Sequence, residues 1–270
     1  MTKIHPTAIV APEAQLADGV EIGPYSIIGE NVRIGAGTVV GPHVLVEGWT
    51  TIGDGCGVGM GTVIGSLPQD DKYHGEPTQV IIGNCTKLRE YVTIHRATGE
   101  GHATRVGNNC QIMAYSHLAH NCEVGNSVSI ANYGGMSGHT IIEDNAVIGG
   151  MVGSHQFVRV GKMAMVSGFS KISVDIPPFA LADGKPARVI SLNVRGLRRA
   201  GLDAADRMCL AKAYKLLYRS GLNLTQALEQ LVQEEVSPEV QYLIDFLQKT
   251  RSGFAGRGND PQGHRDEHDE

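Results

Sequence analysis

Aliphatic side chains recur every six residues through the first two-thirds of the chain. From Ile4 the frame runs without a miss to Ile64; it resumes at Ile82, Leu88 and Ile94, then from Val106 to Ile148, and closes on Val160, Val166 and Ile172. Of the 29 positions in this frame between residues 4 and 172, 25 are Ile, Leu, Val or Met. A period of six is neither the helical 3.6 nor the strand period of two. It fits a solenoid of short strands, each sending one aliphatic side chain inward. Glycine follows many of these residues, as in Ile22-Gly23 and Ile148-Gly149, and is expected to supply the positive φ of a sharp turn. Three strands per coil predict a triangular prism, a parallel β-helix with a stacked aliphatic interior.

The frame fails at Asp70 and Glu76, at Glu100, and at Ser154 beside His155-Gln156. A solenoid accommodates insertions as loops on its faces. External loops are therefore expected near residues 66–81 and 97–105. The first is long, polar and charged, which makes it a candidate for substrate contact.

After Pro177-Pro178 the period changes. A short helix is expected over Asn193–Ala200, stopped at Gly201. Asp203 can cap a second helix carrying Leu210, Ala213, Tyr214 and Leu217 on one face, ended by Ser220-Gly221. Thr225 can cap a third, and Ser237-Pro238-Glu239 reads as N-cap, N1 and N2 of a fourth. The predicted organisation is a β-helix over 1–184, an α-helical domain over 185–252, and a polar tail over 253–270 expected to be disordered.

Glycine supplies 35 of the 270 residues, while aromatics reach 5% and charged residues 19%. The glycine follows no triplet, which excludes collagen, and no apolar run approaches the roughly 20 residues of a membrane helix. The N-terminal stretch has no apolar core of a signal peptide. Five cysteines form no CxxC pair, as expected of reduced, separate thiols in the cytoplasm. The net charge of −5 hides an asymmetry: residues 185–219 hold nine cations against Asp203 and Asp206, leaving the rest at −12. Such a patch suits an anionic ligand or an acidic protein surface. Nucleic acid is not expected, because no aromatic interleaving or reading module accompanies the charge.

Six histidines (His95, His102, His117, His120, His139 and His155) fall in the second half of the repeat. A coil interior needs none, so they belong at corners or on outer faces. His117 and His120 bracket the core residue Leu118. One of the six can serve as a general base near neutral pH. Three gathered imidazoles could instead hold zinc, although no CxxC or HExxH accompanies them.

Several segments go beyond the repeat: Gln69-Asp70-x-Lys72-Tyr73-x-Gly75-Glu76-Pro77-Thr78, Val92-Thr93-Ile94-His95-Arg96, His117-x-Ala119-His120, Gly138-His139, His155-Gln156-Phe157, and Ala213-Tyr214-Lys215 in the helical part. Together they resemble the family of acyl-carrier-protein-dependent UDP-N-acetylglucosamine O-acyltransferases, over residues 1–250. The resemblance implies a left-handed coil and the first reaction of lipid A synthesis. It also implies a homotrimer with active sites between neighbouring prisms, no cofactor and no metal. The donor would be acyl carrier protein loaded with a 3-hydroxyacyl chain, and the acceptor UDP-N-acetylglucosamine.

Residue by residue, His120 matches the family's general base and Gly138 its oxyanion donor. Gln69, Asp70, Lys72, His95, His117, His139, His155 and Gln156 match substrate contacts. Asn193 and Arg199 resemble uracil-side and phosphate-side contacts. Gly168 falls at the acyl-length ruler, where a glycine leaves room for a longer chain. The sequence departs from the pattern at Asn121, where aspartate is common and where the backbone carbonyl can orient the imidazole. It departs again at Arg195 and Ala200 near the nucleotide. Two proteins built on the same repeat stand as alternative readings of this chain. One is an N-acyltransferase of the same pathway, which carries an extra N-terminal domain; the other is a zinc-dependent γ-type carbonic anhydrase.

Overall fold

The computed structural model describes residues 1–233 and 236–252. The fold is a left-handed parallel β-helix followed by four helices. Three sheets of 11, 9 and 8 strands, parallel except for the last pair of the first, form the first, second and third faces of the prism. Most strands are two residues long, with the frame residue inward and its predecessor outward. Ile28, Ile64, Ile94, Leu118 and Ile148 are each 0–1% exposed, and they stack into one core along the axis. Each such burial contributes about 1.5–3 kcal/mol.

An uninterrupted coil is three repeats long, so that Lys3 pairs with Glu21. Gln79 pairs with Trp49, five repeats back, so the first loop adds two repeat lengths to its coil. Ala103 pairs with Gln79, four repeats back, so the second loop adds one. Both insertions are whole multiples of the repeat, which is why the frame resumes unshifted after each. The loops are tighter than expected, because Gln79–Ile82 and Ala103–Val106 are already strands. The third break is no loop. Ser154 stays in its strand opposite Ile172, 8% exposed, with its hydroxyl hydrogen-bonded to Ser137 N and Thr140 Oγ1.

The turn glycines act differently from the expectation. Gly23 and Gly149 do not have positive φ; the left-handed residues lie three before the next core residue, and many are Asn, Tyr or His, such as Tyr25, Asn121, Tyr133 and Asn145. Their N–H groups donate to the coil beneath, as in Asn145 N to Asn126 O at 2.9 Å. The glycine after the aliphatic residue serves close stacking instead. A Cβ on Gly23 would lie 2.7 Å from the Gly41 carbonyl carbon, and one on Gly149 would lie 2.4 Å from Gly168 N.

Small residues two before the core position turn their hydroxyls or thiols to carbonyls of the next coil. Thr38 Oγ1 donates to Gly53 O at 2.8 Å and Cys110 Sγ to Gly125 O at 3.0 Å. Burial pushes the Cys110 thiol up, and that of Cys122 to about 12. These cysteines are structural, and the five described thiols form no disulfide.

Residues 187–192, expected with the helices, form the second strand of a hairpin with Ala180–Gly184 on the first face. α1 (Val194–Arg199) is capped by Asn193 and α2 (Ala204–Arg219) by Asp203. α3 (Leu224–Val232) is capped by Asn223 in a capping box with Gln226, not by Thr225. The box satisfies two helix-end donors at once, which a threonine further into the first turn cannot do. α4 (Pro238–Ser252) returns to the prism. There the Arg159 guanidinium, 7% exposed, meets Asp175 at 2.9 Å, Thr250 Oγ1 at 2.7 Å and the Phe246 carbonyl at 3.1 Å. The tail over 253–270 lies outside the described residues. Among the described residues no helix is long and apolar enough to cross a membrane.

Candidate active site

Two successive corners between the second and third faces, residues 119–121 and 137–139, carry the densest chemistry of the molecule. At each corner the chain turns through a left-handed residue, Asn121 at φ 59° and His139 at φ 59°. This turn leaves His120, 7% exposed, beside the wall of the prism. Its Nδ1 lies 2.9 Å from Asn121 Oδ1 and 3.7 Å from Asp70 Oδ2. The first contact is a hydrogen bond; the second is too long for one but close for a charge interaction. The other edge of the ring faces Gly138, where a Cβ would sit 2.5 Å from Nε2. Only glycine leaves that nitrogen uncovered.

The two insertions bring Asp70 to the corner. Arg96 anchors the first loop, donating to Tyr73 Oη at 3.0 Å and to Gly65 O at 3.2 Å, with its guanidinium over the Trp49 and Tyr73 rings. Glu76 ties this loop to the second through Gly99 N at 2.8 Å. Asp70 then accepts from Lys72 N at 3.1 Å. Burial pushes its carboxyl up, but the Lys72 N–H, Thr98 and the charges of His120 and Lys72 outweigh that and hold it below the usual range.

The neighbouring imidazoles are kept neutral. His95 and His117 meet edge to face, with ring centres 4.8 Å apart, and His117 Nδ1 is 2.7 Å from Thr93 Oγ1. Burial, then the neighbouring histidines, lower His117 to about 4, and burial also lowers His95. His139 stands edge-on to His120 at 5.3 Å and stacks on Phe157 at 4.5 Å; burial lowers its pKa too. No group of three or more His, Cys, Asp or Glu among the described residues is placed to hold a metal ion.

The structure therefore gathers Asp70, His120, Gly138 and His139 at one edge, with His95 and His117 on the adjoining second face. Gln69 and Lys72 lie on the first loop, and His155 and Gln156 at the next corner up. Gly168 lies at the opposite edge of the second face, between the first-face strand Met165–Val166 and the second-face strand Lys171–Ile172. Asn193 and Arg199 lie elsewhere, lining a cavity of about 340 Å³ with Gln111, Ser129 and Val147, outward residues of the first face. Asn193 is engaged within the fold: Oδ1 accepts from Gly196 N and Nδ2 donates to Met163 O at 2.9 Å.

Sequence reasoning missed Thr98, which lies in the second loop and shows no periodic signal. It also gave the orienting role at position 121 to the backbone carbonyl, whereas the side-chain amide makes the contact.

The chain resembles known proteins along nearly its whole length. Residues 175–255 match the family described as UDP-N-acetylglucosamine O-acyltransferase, domain 2, and residues 1–36 and 103–138 match the bacterial transferase hexapeptide family. A protein of Gloeothece citriformis is 50% identical over 260 residues, 96% of this chain and 94% of its own length. It is named acyl-(acyl-carrier-protein)–UDP-N-acetylglucosamine O-acyltransferase. A protein of the same name from Thiobacillus denitrificans is 48% identical over 94% of this chain and 99% of its own. Among solved structures, LpxA from Acinetobacter baumannii superposes with a TM-score of 0.85 at 40% identity, covering 90% of this chain and 95% of that one. The UDP-N-acetylglucosamine acyltransferase of Francisella novicida gives 0.88 at 34% identity, covering 91% of each chain.

Proposed function

The chain belongs to the UDP-N-acetylglucosamine O-acyltransferase family, and from that premise we propose how its own residues carry the transfer. It moves a 3-hydroxyacyl chain from acyl carrier protein to the 3-hydroxyl of UDP-N-acetylglucosamine, the first step of lipid A biosynthesis. The observation that carries the assignment of roles is the meeting of His120, Asp70 and Gly138 at one corner.

A sugar hydroxyl is a poor nucleophile until a base is held against its proton. His120 Nε2 takes that proton as the sugar oxygen attacks the thioester carbon. The new C–O bond forms while the carbonyl electrons move onto oxygen. The Gly138 N–H has no acceptor among the described residues, and it donates to the developing oxyanion. Collapse breaks the C–S bond, and the imidazolium returns its proton to the leaving sulfur. Asp70, held ionised 3.7 Å from Nδ1, favours the transient positive ring. Neutral His95, His117 and His139 surround it without adding charge, and they contact the sugar and the acyl chain. Gln69, Lys72, His155 and Gln156 close around the same substrates.

The active form is a homotrimer. Two observations support it: Asn193 and Arg199 line a cavity on the first face, away from the His120 edge, and Ile9 and Ile27 stand 64% and 45% exposed on the second face. A neighbouring copy can complete the nucleotide contacts and cover those side chains. The reaction belongs in the cytoplasm, and the free cysteines fit a reducing compartment.

The test is mass spectrometry of products from the protein, UDP-N-acetylglucosamine and a panel of 3-hydroxyacyl carrier proteins. A nucleotide sugar heavier by one hydroxyacyl group is expected, and no product with any donor would overturn the reaction. His120→Ala should fold normally and lose about 10²–10⁴ in rate. An unchanged rate would remove His120 as the base.

A further inference from the structure

No substrate role falls to Glu76 in the first loop, yet both oxygens of its carboxylate are engaged. Oε2 accepts from His74 N at 2.8 Å and Oε1 from Gly99 N at 2.8 Å. Bonds from the Gly99, Glu76 and His74 N–H groups hold this carboxyl below the usual range, so it is an acceptor only. The Gly99 N–H and the Thr98 carbonyl are the two ends of one peptide unit. Its carbonyl end accepts from Asn121 Nδ2 at 3.0 Å. Glu76 and Asn121 thus hold the same peptide from opposite sides. The nearby tie between the loops, Gly101 N to Pro77 O at 3.3 Å, leaves that peptide untouched.

Nothing intrinsic to this peptide prevents it from turning over. A flip rotates ψ of Thr98 and φ of Gly99, and glycine, here at φ 94°, populates both signs of φ. Flipped, the peptide would aim the Gly99 N–H at Asn121 Nδ2, donor against donor. The Asn121 amide would then meet one opposed pair of donors in either orientation, at Gly99 N or at Thr98 N, and nothing would select between the two. With Nδ2 turned to His120 Nδ1, the ring carries its proton on Nε2 and has no lone pair for a sugar hydroxyl.

We propose that Glu76 is a positioning residue for the transfer: its grip on the Gly99 N–H keeps the Thr98–Gly99 peptide, and through Asn121 the His120 ring, in the arrangement that leaves Nε2 free. The inference rests on the acyl transfer assigned above. Glu76 touches no reacting atom and acts across both loops. Losing a hydrogen bond to a charged group shifts such an orientation by about tenfold or more. Activity then falls with the fraction of rings left competent. Glu76 is half-buried, so its replacement should leave folding intact.

The experiment compares Glu76→Ala with wild type by kcat, by KM for UDP-N-acetylglucosamine and by the NMR resonances of the His120 ring nitrogens. We expect kcat to fall about threefold or more with KM nearly unchanged. In parallel, Nε2 should move from the resonance of a lone-pair nitrogen towards that of an N–H nitrogen. Glu76→Gln, which can still offer an oxygen to the Gly99 N–H, should recover most of the rate. Glu100→Gln, an exposed acid of the second loop, should match wild type. In an Asn121→Gly background, Glu76→Ala should bring no further loss, because no amide is left to hold. An equal loss with and without the Asn121 amide would overturn the proposal and assign Glu76 to the setting of Asp70 or of the loop as a whole. The ring spectrum is read without turnover: an unshifted ring in Glu76→Ala overturns the role of Glu76 alone, whereas a wild-type protein that transfers no acyl chain overturns the reaction. If Glu76→Ala does not fold, Glu76→Met, which keeps the length without an acceptor, decides by the same readouts.

Discussion

Thr98 holds the side-chain amide of Asn121 from both sides: its N–H donates to Oδ1 at 2.9 Å, and its carbonyl accepts from Nδ2 at 3.0 Å. Flipping the amide would set two acceptors and two donors against each other, so the orientation is fixed by the hydrogen-bond network. Oδ1 therefore faces His120 Nδ1 as an acceptor, and that nitrogen must carry the ring proton. Nε2 is left with its lone pair on the side of Gly138. The tautomer a base requires is set by a loop residue one insertion away.

Removing the amide should disturb the tautomer without disturbing the fold. Asn121→Gly is the clean variant, because glycine accepts the φ of 59° that position 121 adopts. We expect kcat to fall by about 10²-fold, within the range of general-base catalysis, with little change in Tm. Asn121→Asp should instead retain activity and move the acid side of the pH–rate profile to higher pH, since an added carboxylate favours the protonated ring. A profile identical to wild type would show that position 121 does not govern the ring.

The neutral imidazoles predict an acid-sensitive fold. The His117 pKa is lowered from 6.5 to about 4 by burial, so between these values the unfolded chain binds more protons than the folded one. Stability then falls as pH drops from about 6.5 towards 4, and this contribution is fully present above 6.5. His95 and His139 shift in the same direction and add to the slope. Thermal melts across this acid range should show the decline, and His117→Gln, which cannot titrate, should flatten part of it. A slope unaltered in that variant would assign the decline to other groups.

The prism was legible in the sequence because each strand contributes one inward residue and both loops add whole multiples of the repeat. Ile4 and Ile172 thus share a frame across every interruption. The corner logic was not legible. A glycine after an aliphatic residue signals a turn equally well through φ or through crowding, and only the 2.4 Å approach of Gly168 N to the Cβ position of Gly149 decides for crowding. The break in the repeat pointed to the loop that carries Asp70, whereas His120, Gly138 and Asp70 themselves were singled out only through the resemblance. The Thr98–Asn121 clamp could not be read by either route, because it joins two distant stretches of chain by a contact that leaves no periodic trace.

Ser154 tests what a polar residue does in an aliphatic stack. Its hydroxyl accepts from Ser137 N at 3.0 Å and pairs with Thr140 Oγ1 at 2.9 Å, next to the Gly138 corner. Ser154→Val restores the repeat but leaves the part-buried Ser137 N–H without its acceptor and Thr140 Oγ1 without one partner, at a cost of about 1 kcal/mol. The apolar substitution should therefore lower the stability measured by urea unfolding. A gain would mean that the Ser137 N–H finds another partner.

The junction of the prism with α4 rests on a charge that cannot be left alone. Asp175 accepts from Arg159 N at 2.8 Å and Nε at 3.0 Å, and from Thr250 Oγ1 at 2.8 Å; all three residues are buried. Asp175→Ala leaves the buried guanidinium without its carboxylate, with the Phe246 carbonyl and ring and the Thr250 hydroxyl as its remaining partners among the described residues. Breaking a buried pair from one side costs about 3–5 kcal/mol. Replacing both ends, Arg159→Met with Asp175→Leu, removes the uncompensated charge and should recover much of that loss. Chemical denaturation of the two variants separates the cases: if the double variant is as unstable as the single, the cluster holds α4 by geometry rather than by charge pairing.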